Sequence, residues 1–323
     1  MEIGIGVSLE KDPSRAAKEA LIFARTDIHT QKIDLAILFS SVDLASPGLL
    51  KSISSTLPGV PLIGSSGAAI ITNRGVFKHC LAIMLLSFSE GIYFNAAHVK
   101  DIKHKTGLAA GAELGERLLY GSKNMHRALT LILSDAFIEE SSNLISGLQS
   151  RLGRSFPFVG GSTSDNLNFL NTHLYYNQEM FNDGCVGILW GGKFNFGLGI
   201  KHGWKPLGKP HTVTAVQGTL VTKIDDKPAA QLYADYLGCS LSKLIKEYKQ
   251  ISLLYPIGLN LPGEDEYLLR NILSVDTTGA LHFQGNVPQG SLVRLMISTK
   301  ETCLAATQQA IDEAKRSFGG LGA

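Results

Sequence analysis

Apolar residues fall along this chain in short continuous blocks, separated by stretches with helical spacing. Ile3-Gly4-Ile5-Gly6-Val7 reads as a strand. Asp12-Pro13 then opens a helix, with Asp as cap and Pro in the first turn, running to about Thr30. Leu35–Phe39 is continuously apolar, which suits a strand buried on both faces. A second helix is predicted from about Pro47 to Leu57. Pro61–Ser66 follows, then strands at His79–Phe88 and Ile92–Val99.

The pattern then recurs. A helix is predicted over about Gly107–Tyr120, and Leu129–Ser134 echoes Leu35–Ser40. Pro157-Phe158-Val159-Gly160-Gly161-Ser162 echoes Pro61-Leu62-Ile63-Gly64-Ser65-Ser66, and strands follow at Cys185–Trp190 and Phe194–Lys201. Leu292–Ser298 starts a third unit, in which Ser298 and Glu301 have capping-box spacing and Leu304, Ile311 and Phe318 share one face of a helix. That unit stops at Gly319-Gly320-Leu321-Gly322-Ala323 without its next strand, so the natural protein is expected to continue.

The fold expected is therefore α/β: βαβαβ-plus-hairpin units, repeated, forming layered mixed sheets flanked by helices. Residues 204–290 depart from the pattern. They read as strands at Thr212–Val216 and Leu220–Ile224, helices at Pro228–Gly238 and Ser240–Tyr248, then Ile251–Leu254, Tyr267–Leu273 and a turn at Asp276–Gly279. The Gly- and Pro-rich stretch Gly203–Pro210 marks a junction, giving domains at 1–204 and 205–323.

Composition narrows the function classes. Lys plus Arg is 30 and Asp plus Glu is 28, a net charge of +2, which gives no electrostatic reason for a nucleic-acid or anionic-membrane partner. Apolar residues make up 44% and charged residues 18%, as in a globular protein. Cys80, Cys185, Cys239 and Cys303 are far apart and form no CxxC pair, so neither a zinc framework nor a disulfide scaffold is indicated. The start lacks a signal-peptide pattern, and no apolar run reaches transmembrane length. A cytoplasmic protein with reduced thiols and no cofactor is expected.

Familiar catalytic and nucleotide-binding motifs are missing: no P-loop, no G-x-G-x-x-G after a strand, no H-E-x-x-H, no G-x-S-x-G. Ser240-Leu241-Ser242-Lys243, Ser164-Asp165-Asn166 and Lys105-Thr106-Gly107 match three short penicillin-binding motifs. They occur in reverse chain order, and the last opens a helix where a strand is needed. Cys185 with His202 would make a nucleophile pair, but Gly184–Leu189 is a buried-strand pattern in which a packed thiol is expected; Cys80 reads the same way.

Two Gly/Ser elements directly follow strands, where α/β proteins place ligands. At Gly160, Gly161, Ser162 and Asp165, and at Gly64, Ser65 and Ser66, backbone N–H groups and hydroxyls can hold an anionic group, while Asp165 can take an amine or hydroxyl. The alternative at both is a tight turn in which Ser or Asp caps its own backbone. Trp204, Tyr233, Tyr255 and Tyr267 suit a pocket wall or an ordinary core.

The order of these elements resembles the FIST family. Phe156–Asp165 is similar to its G-G-x-x-x-D segment, with Asp183–Leu189 and Gly203–Gly208 closing the N domain. Ile224-Asp225-Asp226-Lys227-Pro228-Ala229 is similar to the DG-x-PA turn of the C domain, with Asp226 replacing Gly. Tyr255–Gly258, Leu269-Arg270-Asn271, Asp276–Leu281 and Val287–Ser291 follow in order. The resemblance implies a sensory module of signal transduction that binds a small polar metabolite, amino acids among the candidates, with a signalling protein as partner. Trp204, from the aromatic set, and Arg270, in the matching Leu269-Arg270-Asn271 segment, complete the expected ligand-binding residues. A Ser- or Cys-dependent transferase or hydrolase, and a ligand-free scaffold, stand as the alternatives.

Overall fold

Asp12 caps the first helix as its place before Pro13 predicts, its Oδ1 accepting the Arg15 N–H at 2.8 Å. The computed structural model describes residues 1–121, 126–138, 141–166, 168, 170–261, 263 and 266–318. Two compact units divide the chain, Met1–Phe194 and Asn195–Ala323.

The first unit runs β1 (Glu2–Ser8), α1 (Pro13–Thr26), β2 (Leu35–Ser41), α2 (Pro47–Thr56), β3 (Leu62–Gly67), β4 (Ile70–Thr72), β5 (Gly75–Phe77), β6 (Leu81–Ser87), β7 (Ile92–Lys100), α3 (Gly107–Leu119), β8 (Arg127–Ser134), α4 (Ser141–Leu152), β9 (Phe158–Ser162), β10 (Leu174–Tyr176), β11 (Glu179–Phe181) and β12 (Gly184–Gly192). Its sheets have the orders β1-β6-β2-β3-β10-β11 and β7-β12-β8-β9, with β4-β5 a separate hairpin. Ala16, Leu21, Leu49 and Ile53 of α1 and α2 pack on Leu38, Leu62 and Leu85 of the first sheet. Ala110, Leu114 and Leu148 of α3 and α4 pack on Val99, Ile132 and Cys185 of the second. The remaining faces meet through Leu35, Ile37 and Ile63 against Leu133, Val186 and Ile188. Each sheet thus buries one face under helices and the other against its neighbour, the layered α/β arrangement expected.

The second unit contains β13 (Lys205–Gln217), β14 (Leu220–Ile224), β15 (Lys227–Pro228), α5 (Gln231–Leu237), α6 (Leu241–Leu254), β16 (Ile257–Asn260), β17 (Tyr267–Arg270), β18 (Ile272–Val275), β19 (Leu281–Phe283), β20 (Leu292–Ile297) and α7 (Lys300–Ser317). The sheet order is β17-β16-β20-β13-β14-β19-β18, with β15 against β14. Val213, Tyr233, Leu244, Leu281 and Leu295 lie in its core.

Several local expectations are corrected. Ile251–Leu254 is the last turn of α6, and Tyr267–Leu273 breaks into two strands at Asn271. Among the described residues Phe194–Lys201 joins no sheet ladder. It presents glycines to α7 so closely that a Cβ at Gly199 would sit 1.8 Å from the Ala310 carbonyl oxygen. This contact reverses the expected orientation of α7: Leu304 (61% exposed), Ile311 and Phe318 face outward. The capping box lies one residue on from Ser298 and Glu301, where Thr299 and Thr302 each accept the other's backbone N–H. The closing Gly319–Ala323 lies outside the described residues. Helix α4 and the β4-β5 hairpin were not signalled by the periodicity. Among the described residues no helix is long and apolar enough to cross a membrane.

The departure at Asp226 has a measurable cost. Asp225 and Asp226 both have left-handed backbones, with φ of 49° and 61°. Asp tolerates this better than most residues, but Gly does so without a Cβ penalty. Asp226→Gly keeps the N–H that bonds to Thr214 Oγ1 at 2.9 Å. It is expected to raise stability by about 0.5–1 kcal/mol, read as a higher urea midpoint at unchanged slope; an unchanged or lower midpoint would contradict that origin of strain.

Candidate functional site

In the first unit, the two Gly/Ser elements end the outer strands of two parallel pairs, β2-β3 and β8-β9. The fold joins their ends. Ser66 Oγ donates to the Ser164 carbonyl at 3.1 Å, and the Ser164 N–H donates to the Ser66 carbonyl at 3.2 Å. Ala68 N–H donates to Ser164 Oγ at 2.9 Å, and His173 N–H to Ser66 Oγ at 2.9 Å. Ser65 and Ser66 are buried beneath β10, whereas Gly160, Gly161 and Ser162 are exposed.

The glycines answer to backbone proximity. A Cβ on Gly64 would lie 1.9 Å from the Leu38 carbonyl oxygen, and one on Gly160 1.8 Å from that of Ile132. Gly161 has open space. Asp165 is buried, and its Oδ2 accepts the N–H groups of Leu170 at 2.8 Å and Asn171 at 3.3 Å. That is the self-capping turn rather than a carboxylate presented to solvent.

A buried carboxylate that belongs to no recognisable motif stands one residue after β8. Asp135 accepts from Phe137 N (3.0 Å), Thr172 Oγ1 (3.0 Å) and Asp183 N (2.6 Å). It ties the end of β8 to the segments entering β10 and β12.

Cys185 is buried in β12, and desolvation pushes its thiol up to about 12; Cys80 is likewise raised to about 11. A thiol so placed is not ionised at neutral pH, so Cys185 lacks the thiolate needed for attack. Cys239 is also buried and free. Lys105-Thr106-Gly107 opens α3, with Thr106 Oγ1 accepting the Ala109 N–H at 3.2 Å.

In the second unit, the Trp204 ring lies edge-on to His202 with centroids 6.5 Å apart, and its buried Nε1 has no partner among the described residues. Arg270 donates to the backbone carbonyls of Asn286 at 3.2 Å and Leu269 at 3.0 Å. Burial lowers its pKa from the usual arginine value. Tyr233 is fully buried, with its hydroxyl donating to the Tyr255 carbonyl at 3.0 Å, so it belongs to the core.

The best-formed polar cluster of this unit escaped the sequence. His211 on β13 places Nδ1 2.7 Å from Asp225 Oδ2 and Nε2 3.1 Å from the Tyr236 hydroxyl. The Lys209 N–H donates to the same hydroxyl at 3.2 Å, and Thr212 N–H donates to Asp225 Oδ1 at 2.8 Å. Burial raises the Asp225 carboxyl, but the bonds from Thr212 and His211 outweigh it and the net shift is downward. Lys209, His211, Asp225 and Tyr236 line a cavity of about 270 Å³ together with Lys227 and Asp235. Asp235 is engaged by Gln231 Nε2 at 2.7 Å. Lys209 and Lys227 close no ion pair among the described residues. A second cavity of about 270 Å³, beside Val60 and Asn177 in the first unit, has no charged lining. The three residues fall within one short stretch, His211 lying 14 positions before Asp225 and 25 before Tyr236, but at a spacing no motif carries; only the Ile224–Ala229 turn points to the place.

Comparison with known proteins covers nearly the whole chain. A model described as the FIST N domain matches residues 34–227, and one described as the FIST C domain matches 229–323. An uncharacterized protein of Mycobacterium tuberculosis is 27% identical over 335 residues, spanning 99% of this chain and 84% of that protein. An uncharacterized Mycobacterium bovis protein is 24% identical over 304 residues, 92% of this chain and 76% of its own length. One from Methanocaldococcus jannaschii is 24% identical over 273 residues, 79% of this chain and 51% of its own length.

Proposed function

The chain belongs to the FIST family of small-ligand sensory domains, and we propose that it senses a small polar metabolite, an amino acid or close analogue, in the His211 cavity. The observation that carries this is the mixed charge around a small cavity. Lys209, within electrostatic reach of Asp225, and Lys227 offer cations to a carboxylate, and Asp225 and Asp235 offer acceptors to an ammonium group. His211, fixed by Asp225, and the Tyr236 hydroxyl supply directional polar contacts between them. The volume suits a ligand of amino-acid size better than a nucleotide. We propose binding without turnover, in the cytoplasm, where four free thiols are stable. Occupancy would be passed to a signalling partner.

Isothermal titration against the twenty L-amino acids tests the reading. At least one should bind, and Lys209→Met with Lys227→Met should weaken it about tenfold or more, since a charge-assisted bond is worth roughly 1.5–3 kcal/mol. Both lysines are exposed, so the melting temperature should hold. No heat with any amino acid, or equal affinity in the double variant, would overturn the assignment.

A further inference from the structure

The two halves of the first unit repeat the same bonds. Ala36 N–H donates to the Pro61 carbonyl at 2.9 Å, and Thr130 N–H to the Pro157 carbonyl at 3.1 Å. Ser41 N–H donates to the Cys80 carbonyl, and Asp135 N–H to that of Gly184, each at 2.9 Å. Each half also carries a short hairpin after its Gly/Ser strand: β4-β5 after β3, and β10-β11 after β9. The hairpins match in pairing and share Asn73/Asn177 and Phe77/Phe181, although the left-handed turn residue is Asn177 in one and Gly75 in the other. Ile70-Ile71-Thr72-Asn73 stands where the second has Leu174-Tyr175-Tyr176-Asn177, and Ile70 pairs with Phe77 as Leu174 pairs with Phe181.

Among the described residues only the second hairpin joins a larger sheet. β10 lies antiparallel on the outer edge of β3, with Leu174 opposite Ser65, Tyr175 opposite Gly64 and Tyr176 opposite Ile63. Asn177 locks the end: its Oδ1 accepts the Leu62 N–H at 3.1 Å, and its N–H donates to the Leu62 carbonyl at 2.7 Å. The connection that lets β10 cross to β3 is residues 163–173. β4 is joined to β3 by Ala68 and Ala69 alone, too short to cross to β9.

Two complementary vacancies result. Among the described residues β9 pairs with β8 on one side only, and Gly160–Ser162 is exposed. Because Pro157 turns its carbonyl toward β8, strand alternation turns the backbone groups of Phe158, Gly160 and Ser162 to the open side. On the hairpin, Ile71 is 80% exposed and Val76 66%, while Tyr175, which corresponds to Ile71, is fully buried. An open strand edge beside an exposed apolar hairpin is a template for strand addition.

We propose that the β4-β5 hairpin of a second copy of this chain occupies the β9 edge, in the register that β10 takes on β3. Ile70 then lies opposite Gly161, Ile71 opposite Gly160 and Thr72 opposite Val159, and Asn73 caps the Phe158 N–H. The seat is the one the chain already builds for itself on β3, which is why the occupant is a copy of this chain. One hairpin on one edge is smaller than the ~1,000 Å² that a stable interface buries. A two-fold pair makes the contact twice, so the assembly closes as a dimer.

Sedimentation equilibrium and light scattering on the full chain should give twice the chain mass. The double variant Ile71→Lys with Val76→Lys should give the monomer mass with an unchanged circular-dichroism melt, since both side chains are exposed. A variant carrying Thr72→Cys and Val159→Cys should form a covalent dimer under mild oxidation, and neither single variant should. A monomer at all concentrations would overturn the proposal. So would a dimer that survives the double lysine variant, or one that the paired cysteines fail to cross-link.

Discussion

Gly64→Ala is expected to cost on the order of 4 kcal/mol of stability, at the upper end of what one methyl group can do. The Gly64 Cα faces the Leu38 main chain so closely that the new Cβ would sit 1.9 Å from an oxygen and 2.8 Å from the carbonyl carbon. Neither strand can yield. β3 is held by β2 on one side and β10 on the other, and Ile63 beside Gly64 is fully buried between the sheets. The same substitution at Gly160 meets the Ile132 carbonyl at 1.8 Å, but within the chain β9 is paired on its β8 side alone among the described residues and is less firmly held than β3. That variant should lose about half as much. Gly161→Ala, with nothing within 4 Å, should fall within about 0.5 kcal/mol of the parent. Urea denaturation of the three variants checks the order. A Gly64→Ala protein as stable as Gly161→Ala would mean that the glycine is not there for backbone clearance.

That series also shows where sequence reasoning succeeds and where it stops. The buried strands Leu35–Phe39, Leu129–Ser134 and Cys185–Trp190 are legible because a strand covered on both faces is mostly apolar, Thr130 and Ser134 being the polar exceptions. The three-residue strands β4 and β5 were not, since alternation over so few positions carries no period. Ser298 and Thr299 both suit an N-cap, and periodicity alone does not choose between adjacent residues. The outward stripe on α7 failed for a different reason. Heptad spacing marks a face, but the glycines of 197–203 bring backbone against Ala310 and Ala314, and close approach of small residues settled which face turned inward. The glycines at 64 and 160 were conspicuous as candidate ligand contacts, yet the constraint on them comes from the neighbouring strand. His211, Asp225 and Tyr236 share no spacing that a sequence scan could weigh. They meet because β13 and β14 form a hairpin and α5 follows it.

Asp135 leads to the second large effect. In the sequence, a single Asp after an apolar strand is indistinguishable from a turn residue. In the fold it is 5% exposed and accepts from two backbone N–H groups and one hydroxyl. Asp135→Ala removes the acceptor and leaves the Thr172 hydroxyl, also buried, and the Asp183 N–H without a partner. A stranded buried donor costs about 1–3 kcal/mol, more when its lost partner was charged, so a total of about 3 kcal/mol is expected. Asp183 makes the loss local as well as global. Its φ of 48° is left-handed, and its Oδ1 holds the Lys103 N–H at 3.0 Å. Without Asp135 the entry to β12 should open first, so hydrogen exchange at Asp183 and Lys103 should accelerate beyond the global change. Asp135→Asn keeps one acceptor oxygen but brings an N–H₂ group toward another donor, and should recover only part of the loss. A full recovery by Asn would show that the carboxylate charge contributes nothing, and unchanged exchange at Asp183 in the Ala variant would show that the bond to Asp135 does not hold that strand entry.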